Sequence, residues 1–549
     1  MGTSGFLRLL LRRSKIKNTR IKYTRKLNMR SLSMWLLAMV VCGFPFLKST
    51  AQACPDRPAS GSVVADPFSI SSQSGVLSAS LTMKTSVDDL GYTHYCYNYA
   101  NGTQTVESPT LRVNPGDTLA LDVVNRIKTT SDATRMNMAM PVSAATCGDG
   151  GPMTINSTNV HFHGLNVPPV CHQDDVINTL IQPGTPGFQY SVQIPATEPP
   201  GMYWYHPHVH GFTEFQVNGG AAGAIIVEGM EKVRPEVLGL TERIFVIRQQ
   251  YLVPWIPGPY QLTLNYQVSP VLGLKPTINM KAGEKQFWRV ANATLQDFIP
   301  LEVLVNGVAQ PLEIIALDGY PLPQTRNVTS ILIPPASRAE FIVQAPASGQ
   351  TAILYTDAYS TGPTGNADLA QTLANIQLSD TASSHMPKTA KPMAADSLKF
   401  SDLAHATVTA QRQIFFSEEF GGTNGPIQFY ITVAGQKQKV FEGNEPPVIT
   451  TKVGAVEDWT IENRALETHA FHMHQIHFQM LEVDGKPVTD SDLRDTIEIP
   501  YWEGSGHPYH SVKVRMDFRD PTTAGEFVFH CHILLHEDLG MMHKILVQP

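Results

Sequence analysis

At residues 530–541 the chain reads His-Cys-His-Ile-Leu-Leu-His-Glu-Asp-Leu-Gly-Met. Alternate side chains of a β-strand point to opposite faces. The imidazoles of His530 and His532 are therefore expected on one face and the thiol of Cys531 on the other. One short strand thus predicts two neighbouring metal sites that a single peptide segment connects.

The site that contains Cys531 takes its other candidate ligands from nearby segments. His536 and Met541 follow Cys531 by five and ten residues. His469 lies three residues before a His-x-His pair, so in a regular strand its side chain points away from that pair. Two imidazoles, a thiolate and a weakly bound thioether are typical of an electron-transfer copper site. These four residues are therefore predicted to bind one copper ion.

The histidines are not scattered at random. Eight of the nineteen form four His-x-His pairs, two in the first part of the chain and two in the last. The pairs are His161 and His163, His206 and His208, His472 and His474, and His530 and His532. A packed core explains one such pair, but four pairs predict metal, because imidazole is a favoured ligand of copper, zinc, iron and nickel. Eight imidazoles suffice for three copper ions, two with three ligands and one with two.

The four motifs resemble the copper-binding motifs of the multicopper oxidases, the laccase-like family, and stand in that family's order. They are His-Phe-His-Gly at 161–164, His-Pro-His at 206–208, His-Ala-Phe-His-Met-His at 469–474 and the segment at 530–541. The resemblance extends from Ser60 to the end of the chain. It implies an all-β fold of three cupredoxin-like Greek-key β-sandwich domains, with a cluster of three copper ions between the first domain and the third.

The resemblance also implies a ligand set for four copper ions per chain. The type 2 copper would be bound by His161 and His472. The two type 3 coppers would be bound by His163, His206 and His532, and by His208, His474 and His530. The type 1 copper would be bound by His469, Cys531 and His536, with Met541 as axial ligand.

Two positions depart from the family's pattern. Ala470 follows the histidine where the family usually has proline, and Gln475-Ile476-His477 stands where Gly-His often follows. Neither departure removes a ligand, and both are expected to change the loop beside the type 1 site. His172, His210 and His477 match no ligand position and are interpreted as structural residues or as residues that orient a ligand.

Three acidic residues are candidates for delivering protons, because a positioned carboxylate is a general acid and base. Glu537 directly follows His536 and matches an acidic residue common at that place in bacterial members of the family. Asp174 and Asp175 lie where the family tends to place an acid near the type 2 copper. The alternatives are an exposed acid on a turn for Glu537 and a turn cap for either aspartate.

Short strand-like segments recur along the chain. They are rich in β-branched or aromatic residues, and most lie close to Gly, Pro, Asn or Asp. The segments are 110–113, 119–124, 224–227, 243–247, 331–333, 340–343, 512–516 and 527–530. No segment of comparable strength has the period of a long amphipathic helix, so an all-β architecture of sandwiches is favoured.

Three similar segments indicate an internal triplication of one sandwich. They are 113–117, 280–284 and 453–457, and each precedes alternating apolar residues and an asparagine, namely Asn125, Asn292 or Asn463. Composition adds a segment rich in Ser, Ala, Lys and Pro before the third copy. The predicted domains are 54–230, 231–378 and 409–549, with a linker at 379–408 and the type 1 copper in the third domain.

Residues 1–53 are predicted to be an export signal. Trp35 to Leu47 is an apolar run of thirteen residues, with basic residues before it and the cleavage pattern Ala51-Gln52-Ala53 after it. The run is shorter than the ~20 residues of a membrane span. Translation from Met29 would give a signal of ordinary size. The mature chain is therefore expected to have no membrane span and to be periplasmic or secreted, and the bacterial character of the motifs favours a periplasm.

The charge distribution excludes one class of partner. The net charge is −7, but eleven of the 41 Lys and Arg residues lie within residues 1–53, which contain no Asp or Glu. The rest of the chain therefore holds 30 basic against 48 acidic residues, a net charge of −18. Such a chain offers no electrostatic surface for nucleic acid.

An oxidising compartment permits disulfides. Because Cys531 is a candidate copper ligand, four cysteines of the exported chain remain. Cys147 and Cys171 flank one histidine motif and are predicted to pair, which leaves Cys54 and Cys96 for a second bridge.

The sequence predicts a copper-dependent oxidase that couples one-electron oxidation of a reducing substrate to reduction of dioxygen to water. Phenols and aromatic amines are the favoured substrates, because no long Met-rich insert accompanies the third domain, and Cu(I) is the alternative. The rival functions are a non-catalytic copper-binding scaffold and a two-copper nitrite reductase, although the latter has no use for four His-x-His pairs. The oligomeric state stays open.

Overall fold

The computed structural model of the chain describes residues 54–88, 91–128, 147, 153–251, 260–378, 398–421, 427–443, 445–488 and 492–549. The predicted export signal and residues 379–397 of the predicted linker lie outside this part of the chain. Within it, no helix is long and apolar enough to cross a membrane.

A pair of sheets forms the first sandwich. Its strands are β1 (Ser69–Ser71), β2 (Val76–Val87), β3 (Thr93–Asn101), β4 (Gln104–Glu107), β5 (Thr110–Val113), β6 (Thr118–Arg126), β7 (His161–His163), β8 (Phe188–Gln193), β9 (Gly201–His206) and β10 (Gly223–Val227). The strand orders are β1-β5-β10-β9-β7 and β4-β3-β2-β6-β8. Leu77 and Leu81 of β2 and Leu119 of β6 alternate with more exposed residues and pack with Phe162 of β7 between the sheets.

The second sandwich is again built around two packed sheets and has more strands. Its strands are β11 (Thr241–Tyr251), β12 (Tyr260–Leu264), β13 (Gln267–Val268), β14 (Thr277–Met280), β15 (Lys285–Ala293), β16 (Ile299–Val305), β17 (Val308–Ala309), β18 (Leu312–Leu317), β19 (Tyr320–Val328), β20 (Ile331–Ile333), β21 (Arg338–Gln344), β22 (Ala352–Thr356), β23 (Tyr359–Ser360), β24 (Ala367–Asp368) and β25 (Gln371–Leu378). The orders are β13-β12-β11-β15-β21-β18-β19 and β14-β25-β22-β16-β17, with β20 beside β16 and β23 paired to β24. Phe245, Trp288 and Phe341 lie in its core.

The third sandwich carries the Cys531 motif. Its strands are β26 (Ala410–Phe420), β27 (Ile427–Val433), β28 (Ile449–Lys452), β29 (Ala455–Asn463), β30 (His469–Met473), β31 (Phe478–Val483), β32 (Lys486–Pro487), β33 (Leu493–Arg494), β34 (Thr496–Ile499), β35 (His510–Phe518), β36 (Gly525–Cys531) and β37 (Met542–Gln548). The orders are β27-β26-β29-β35-β31-β32, with β33 beside β31, and β28-β37-β36-β30-β34. Leu398, Phe400 and Leu403, which belong to the predicted linker, pack into this sandwich's core.

Helices are short. In the described part of the chain the α-helices are α1 (Thr213–Asn218), α2 (Met230–Val233) and α3 (Leu534–Asp538), and 3₁₀ turns lie at Pro235–Val237, Leu403–His405 and Pro521–Thr523. All eight segments predicted as strands lie in strands. The predicted fold class, an all-β chain of three cupredoxin-like sandwiches, is confirmed.

The triplication is visible in three buried asparagines at the ends of equivalent strands. In each, the side-chain Nδ2 donates to two backbone carbonyls, and Oδ1 accepts from the backbone N–H two residues further on. The three are Asn125, Asn292 and Asn463, with Oδ1 distances of 2.9, 3.1 and 2.9 Å. Each asparagine thus bonds backbone carbonyls of neighbouring segments in the same way, as a buried polar side chain must.

Both predicted disulfides are present. Cys54 is bonded to Cys96, and Cys147 to Cys171. Cys531 is a free thiol and is buried. The sandwiches also contact one another through apolar surfaces, as where Trp204 and Ile226 of the first pack against Val246 and Ala291 of the second.

Candidate metal centre

Strand register brings the four His-x-His pairs together. β7 pairs with β9 so that His161 lies opposite His206, and β30 pairs with β36 so that His472 lies opposite His530. Every imidazole of the four pairs is at most 3% exposed. The rings of His161 and His474, from different sandwiches, stack at 3.8 Å. The pairs therefore form one cluster between the first sandwich and the third, which we call the imidazole cluster.

The regular-strand assumption holds for one pair only. His161 and His163 both lie within β7, whereas His208, His474 and His532 follow the ends of their strands. For His208 the reason is local, because Pro207 has no N–H to continue the ladder. The pairs converge even so, since strand register fixes the first member of each.

The nitrogen atoms of the imidazole cluster fall into groups whose members are close enough together to bind one metal ion. Potential ligand atoms lie within 4.8 Å of one another in three all-histidine groups and in one group that includes a carboxylate. These groups are His163, His206 and His532; His208, His474 and His530; His161, His163 and His472; and His161, Asp174 and His474. The first two match the ligand sets that the resemblance implied for the type 3 coppers.

Unpartnered nitrogen atoms fit a bound metal. Within the described residues, one or both ring nitrogens of six cluster histidines are buried and have no hydrogen-bond partner; the six are His161, His163, His206, His472, His474 and His532. Burying a polar nitrogen away from water without a hydrogen-bond partner raises the free energy of the folded state. Burial lowers the pKa of His206 to about 3 and that of His208 to about 4, so both rings are neutral near pH 7. A neutral imidazole with a free nitrogen is the form that coordinates a metal.

Hydrogen bonds fix which nitrogen each ring presents to the cluster. The Nδ1 atoms of His206, His472 and His530 donate to backbone carbonyls at 2.8, 2.8 and 3.0 Å. Nδ1 of His161 lies 3.0 Å from both carboxylate oxygens of Asp174. Such contacts set the tautomer and the ring orientation of a metal ligand.

A second group surrounds the free thiol. Sγ of Cys531 lies 3.6 Å from Nδ1 of His469 and 3.8 Å from Nδ1 of His536, and the two Nδ1 atoms are 3.3 Å apart. Met541 is buried beside them, because its backbone carbonyl accepts from Cys531 N at 3.0 Å and its N–H donates to His536 O at 2.8 Å. Burial raises the pKa of the Cys531 thiol above its usual range. A bound cation would favour the thiolate instead.

The predicted acids occupy different environments. The Asp174 carboxylate, besides its contact with His161, accepts from Phe162 N at 2.9 Å and from Gln475 Nε2 at 2.8 Å. Asp175 accepts from the backbone N–H of Asn178 at 3.1 Å, as a turn cap does.

Glu537 is buried in α3 rather than exposed on a turn. Its Oε2 lies 3.2 Å from His530 Nδ1, and its Oε1 lies 3.5 Å from His208 Nε2. Glu537 therefore contacts His530 and His208, whereas Asp174 contacts His161.

The sequence expectation for one family departure was wrong. Gln475 was expected to shape the loop beside the Cys531 site, but its side chain donates to Asp174 at the imidazole cluster. The chain turns there with a φ of 64°, in the left-handed region that glycine enters most easily, and this turn directs the side chain toward the first sandwich. Two of the three unmatched histidines make structural contacts: His477 Nε2 donates to Asp318 O at 2.8 Å, and His172 Nδ1 donates to Gln189 O at 2.6 Å. The His210 ring is buried against Phe441, and within the described residues its nitrogens have no hydrogen-bond partner, so its role stays a prediction.

Four residues at these sites were missed by the sequence analysis. Asp495 contacts two cluster histidines, and Arg338 is bonded to Asp495. Glu418 Oε1 lies 3.5 Å from His469 Nε2, and Glu467 Oε2 lies 3.7 Å from His536 Nε2. None belongs to a spacing motif, so no sequence signal marks them.

Comparison with known proteins gives one family throughout. Sequence models described as multicopper oxidase match residues 152–232, 249–379 and 421–549. The chain is 24% identical to the multicopper oxidase mco of Staphylococcus aureus over 456 residues, which cover 80% of this chain and 81% of that protein. It is 23% identical to a laccase of Bacillus subtilis over 385 residues, 63% of this chain and 70% of that protein.

Solved structures show the same fold. A multicopper oxidase from Campylobacter jejuni, described as a metallo-oxidase, superimposes with a TM-score of 0.65 at 23% identity, over 91% of this chain and 98% of that one. McoA from Aquifex aeolicus superimposes with a TM-score of 0.65 at 19% identity, over 90% of this chain and all of that one.

Proposed function

The chain belongs to the multicopper oxidase family and is a copper-dependent oxidoreductase that uses dioxygen; we propose that it binds four copper ions, one at the Cys531 site and three in the imidazole cluster. The observation that carries this proposal is the segment His530-Cys531-His532. Cys531 belongs to one ligand group, and its two neighbours belong to two others. Electrons received at the thiol site therefore have a path of one residue to the cluster.

The proposed ligands are the residues named from the sequence. His469, Cys531 and His536, together with Met541, would hold the type 1 copper. His161 and His472 would hold the type 2 copper, and the two groups His163, His206, His532 and His208, His474, His530 would hold the type 3 pair. Copper in these sites supplies one-electron oxidation of the substrate and four-electron reduction of dioxygen to water.

The protein's own groups would supply protons and orientation. Asp174 holds His161 by its Nδ1 and lies in the group with His474, so it can pass a proton to that side of the cluster. Glu537 lies against His530 and His208 and serves the other side. Asp175 is assigned to the turn, because its carboxylate caps Asn178.

The reductant would meet the protein on the side of His469 and His536 that faces the carboxylates of Glu418 and Glu467. Phenols and aromatic amines suit this side of the site, since a hydroxyl or amine can donate to a carboxylate. Following the sequence analysis, we assign such organic reductants first. We also assign the chain to the exported proteins, as periplasmic or secreted, on the signal-like residues 1–53.

A metal-ion reductant is the second candidate, and the same two carboxyls favour it. Burial raises the pKa of Glu418 to about 7, and burial together with the neighbouring Glu418 raises the pKa of Glu467 to about 8. A bound cation would stabilise the ionised forms of these two neighbouring, buried carboxyl groups. Cu(I) oxidation would use the same electron path from His469 and His536 to the thiol.

Oxygen consumption tests the proposal. We expect four equivalents of a one-electron reductant to be oxidised per dioxygen, without release of hydrogen peroxide. Steady-state rates with a phenol and with Cu(I) then separate the two substrate classes. A non-catalytic copper scaffold would consume no dioxygen, and a nitrite reductase would turn over nitrite instead; either result would overturn the assignment.

A further inference from the structure

A buried ion pair joins the second sandwich to the third beside the imidazole cluster. Arg338 is the first residue of β21, and Asp495 lies between β33 and β34. Nη1 of Arg338 donates to Asp495 Oδ1 at 2.8 Å, and Nη2 donates to Oδ2 at 2.6 Å. Both side chains are completely buried. The contact is the two-pronged arrangement that guanidinium forms with carboxylate and that lysine cannot reproduce.

Asp495 in turn contacts two histidines of the cluster. Its Oδ1 lies 3.3 Å from Nε2 of His163, and its backbone carbonyl accepts from Nδ1 of His472 at 2.8 Å. The Thr496 hydroxyl donates to Asp495 Oδ1 at 2.9 Å and lies 3.2 Å from the same Nδ1 of His472. The two rings stack at 3.9 Å with 14° between their planes.

These contacts decide which nitrogen each ring offers to a metal. With Nε2 of His163 and Nδ1 of His472 directed at Asp495, Nδ1 of His163 and Nε2 of His472 are left buried and without a hydrogen-bond partner among the described residues. His163 and His472 belong to the same ligand group. One aspartate therefore sets the tautomer and the orientation of two neighbouring candidate ligands.

Arg338 is itself held by all three sandwiches. Its Nε donates to Met202 O of the first at 3.1 Å, and its Nη2 donates to Asp318 O of the second at 2.8 Å. The motif glycine Gly164 leaves room for the pair: a Cβ there would clash with Arg338 Nη2 and lie 2.6 Å from Asp495 Oδ2. The glycine of His-Phe-His-Gly is thus required by the ion pair as well as by its φ of +87°.

We propose that Arg338 is a positioning residue for the imidazole cluster: through Asp495 it fixes His163 and His472, so that copper binding between the first and third sandwiches depends on the second. The inference rests on the proposed copper sites. It gives a role to the sandwich whose described residues contribute no member to the ligand groups.

Copper retention in matched variants tests this role. R338K keeps the positive charge opposite Asp495 but cannot form both hydrogen bonds of the guanidinium group. D495N keeps the size of the side chain but removes the carboxylate. Arg289 provides the control, because it is also fully buried, lies on neighbouring β15 and is bonded to Glu242 at 2.7 Å and to Glu340. Each protein is dialysed against a graded copper chelator, and copper per chain is measured together with the blue absorption band and the unfolding temperature.

We expect R338K and D495N to bind the three cluster coppers about 10- to 100-fold more weakly. The blue band from the Cys531 site should stay at full intensity. R289K should lower the unfolding temperature but retain all its copper. The proposal is overturned if R338K and D495N retain copper like the unsubstituted chain, or if copper and blue band decline together as general destabilisation would cause. If R338K does not fold, the result for D495N decides. Failure of the unsubstituted chain to bind about four copper ions would count against the proposed function instead.

Discussion

The two candidate metal sites differ in how the chain builds them. His469, Cys531, His536 and Met541 all come from the third sandwich, within residues 469–541. The imidazole cluster takes four histidines from the first sandwich and four from the third, and the second reaches it through Arg338. A site within one domain depends on local strand register, whereas a site between domains depends on how those domains dock. The two should therefore respond differently to the same disturbance.

The largest effect is expected at the point where the sites are joined. Cys531→Ser removes the thiolate, so the blue absorption band and oxidase activity should disappear together. The imidazole cluster should keep about three copper ions, because none of its ligand groups contains the thiol. Absorption spectra and elemental analysis measure both quantities, and a variant that stays blue would refute the ligand assignment.

Asp174→Asn should impair oxygen reduction at the imidazole cluster but not electron uptake at the Cys531 site. We expect oxygen uptake to fall about 100-fold or more, as for the loss of a positioned general acid. Bleaching of the blue band by a reductant without oxygen should keep its rate, because Asp174 contacts His161 and not Cys531.

Asp175→Asn is the control for that variant, since its carboxylate caps a turn at Asn178. Its oxygen uptake should stay within about twofold of the unsubstituted chain, as is usual away from a catalytic contact. Equal losses in both variants would remove the assignment of proton transfer to Asp174.

Features that form within one segment could be predicted from the sequence, whereas contacts between domains could not. Strands were predictable from their period of two residues, and the His-x-His pairs from their spacing within one segment, although only His161 and His163 both lie in a strand. Asp174 and Asp175 could not be told apart, since adjacent positions differ only in the direction that the folded backbone gives them. Asp495 stands 332 residues from His163 and Arg338 stands 157 from Asp495, so their contacts exist only once the sandwiches dock. The prediction for Gln475 was wrong for the same reason, because its side chain contacts Asp174 across a domain boundary.

Partial denaturation should distinguish the sites without any substitution. In urea below the unfolding transition, a chelator should remove copper from the imidazole cluster while the blue band persists, because docking contacts are lost before the core of a sandwich opens. Copper per chain should fall from about four toward one at constant blue absorbance. Simultaneous loss of both would show that the sites share one stability.

A smaller effect is expected beside the thiol site. At a pH above about 8, where both carboxyls are ionised, replacing Glu418 and Glu467 together by glutamine should raise KM for a cationic reductant about 5- to 10-fold, the effect of about 1 kcal/mol of lost charge attraction. The KM for a neutral phenol and the value of kcat should change little. Steady-state oxygen uptake with both reductants checks this, and equal changes would argue against a charge-sensitive entry edge.

Copper content measured together with the absorption spectrum of the copper-loaded chain tests the central claim most directly. Two separately built sites joined through residues 530–532 predict about four copper ions per chain, and a blue band whose intensity accounts for one of them. About one copper ion per chain with that band, or several copper ions without it, would contradict the account.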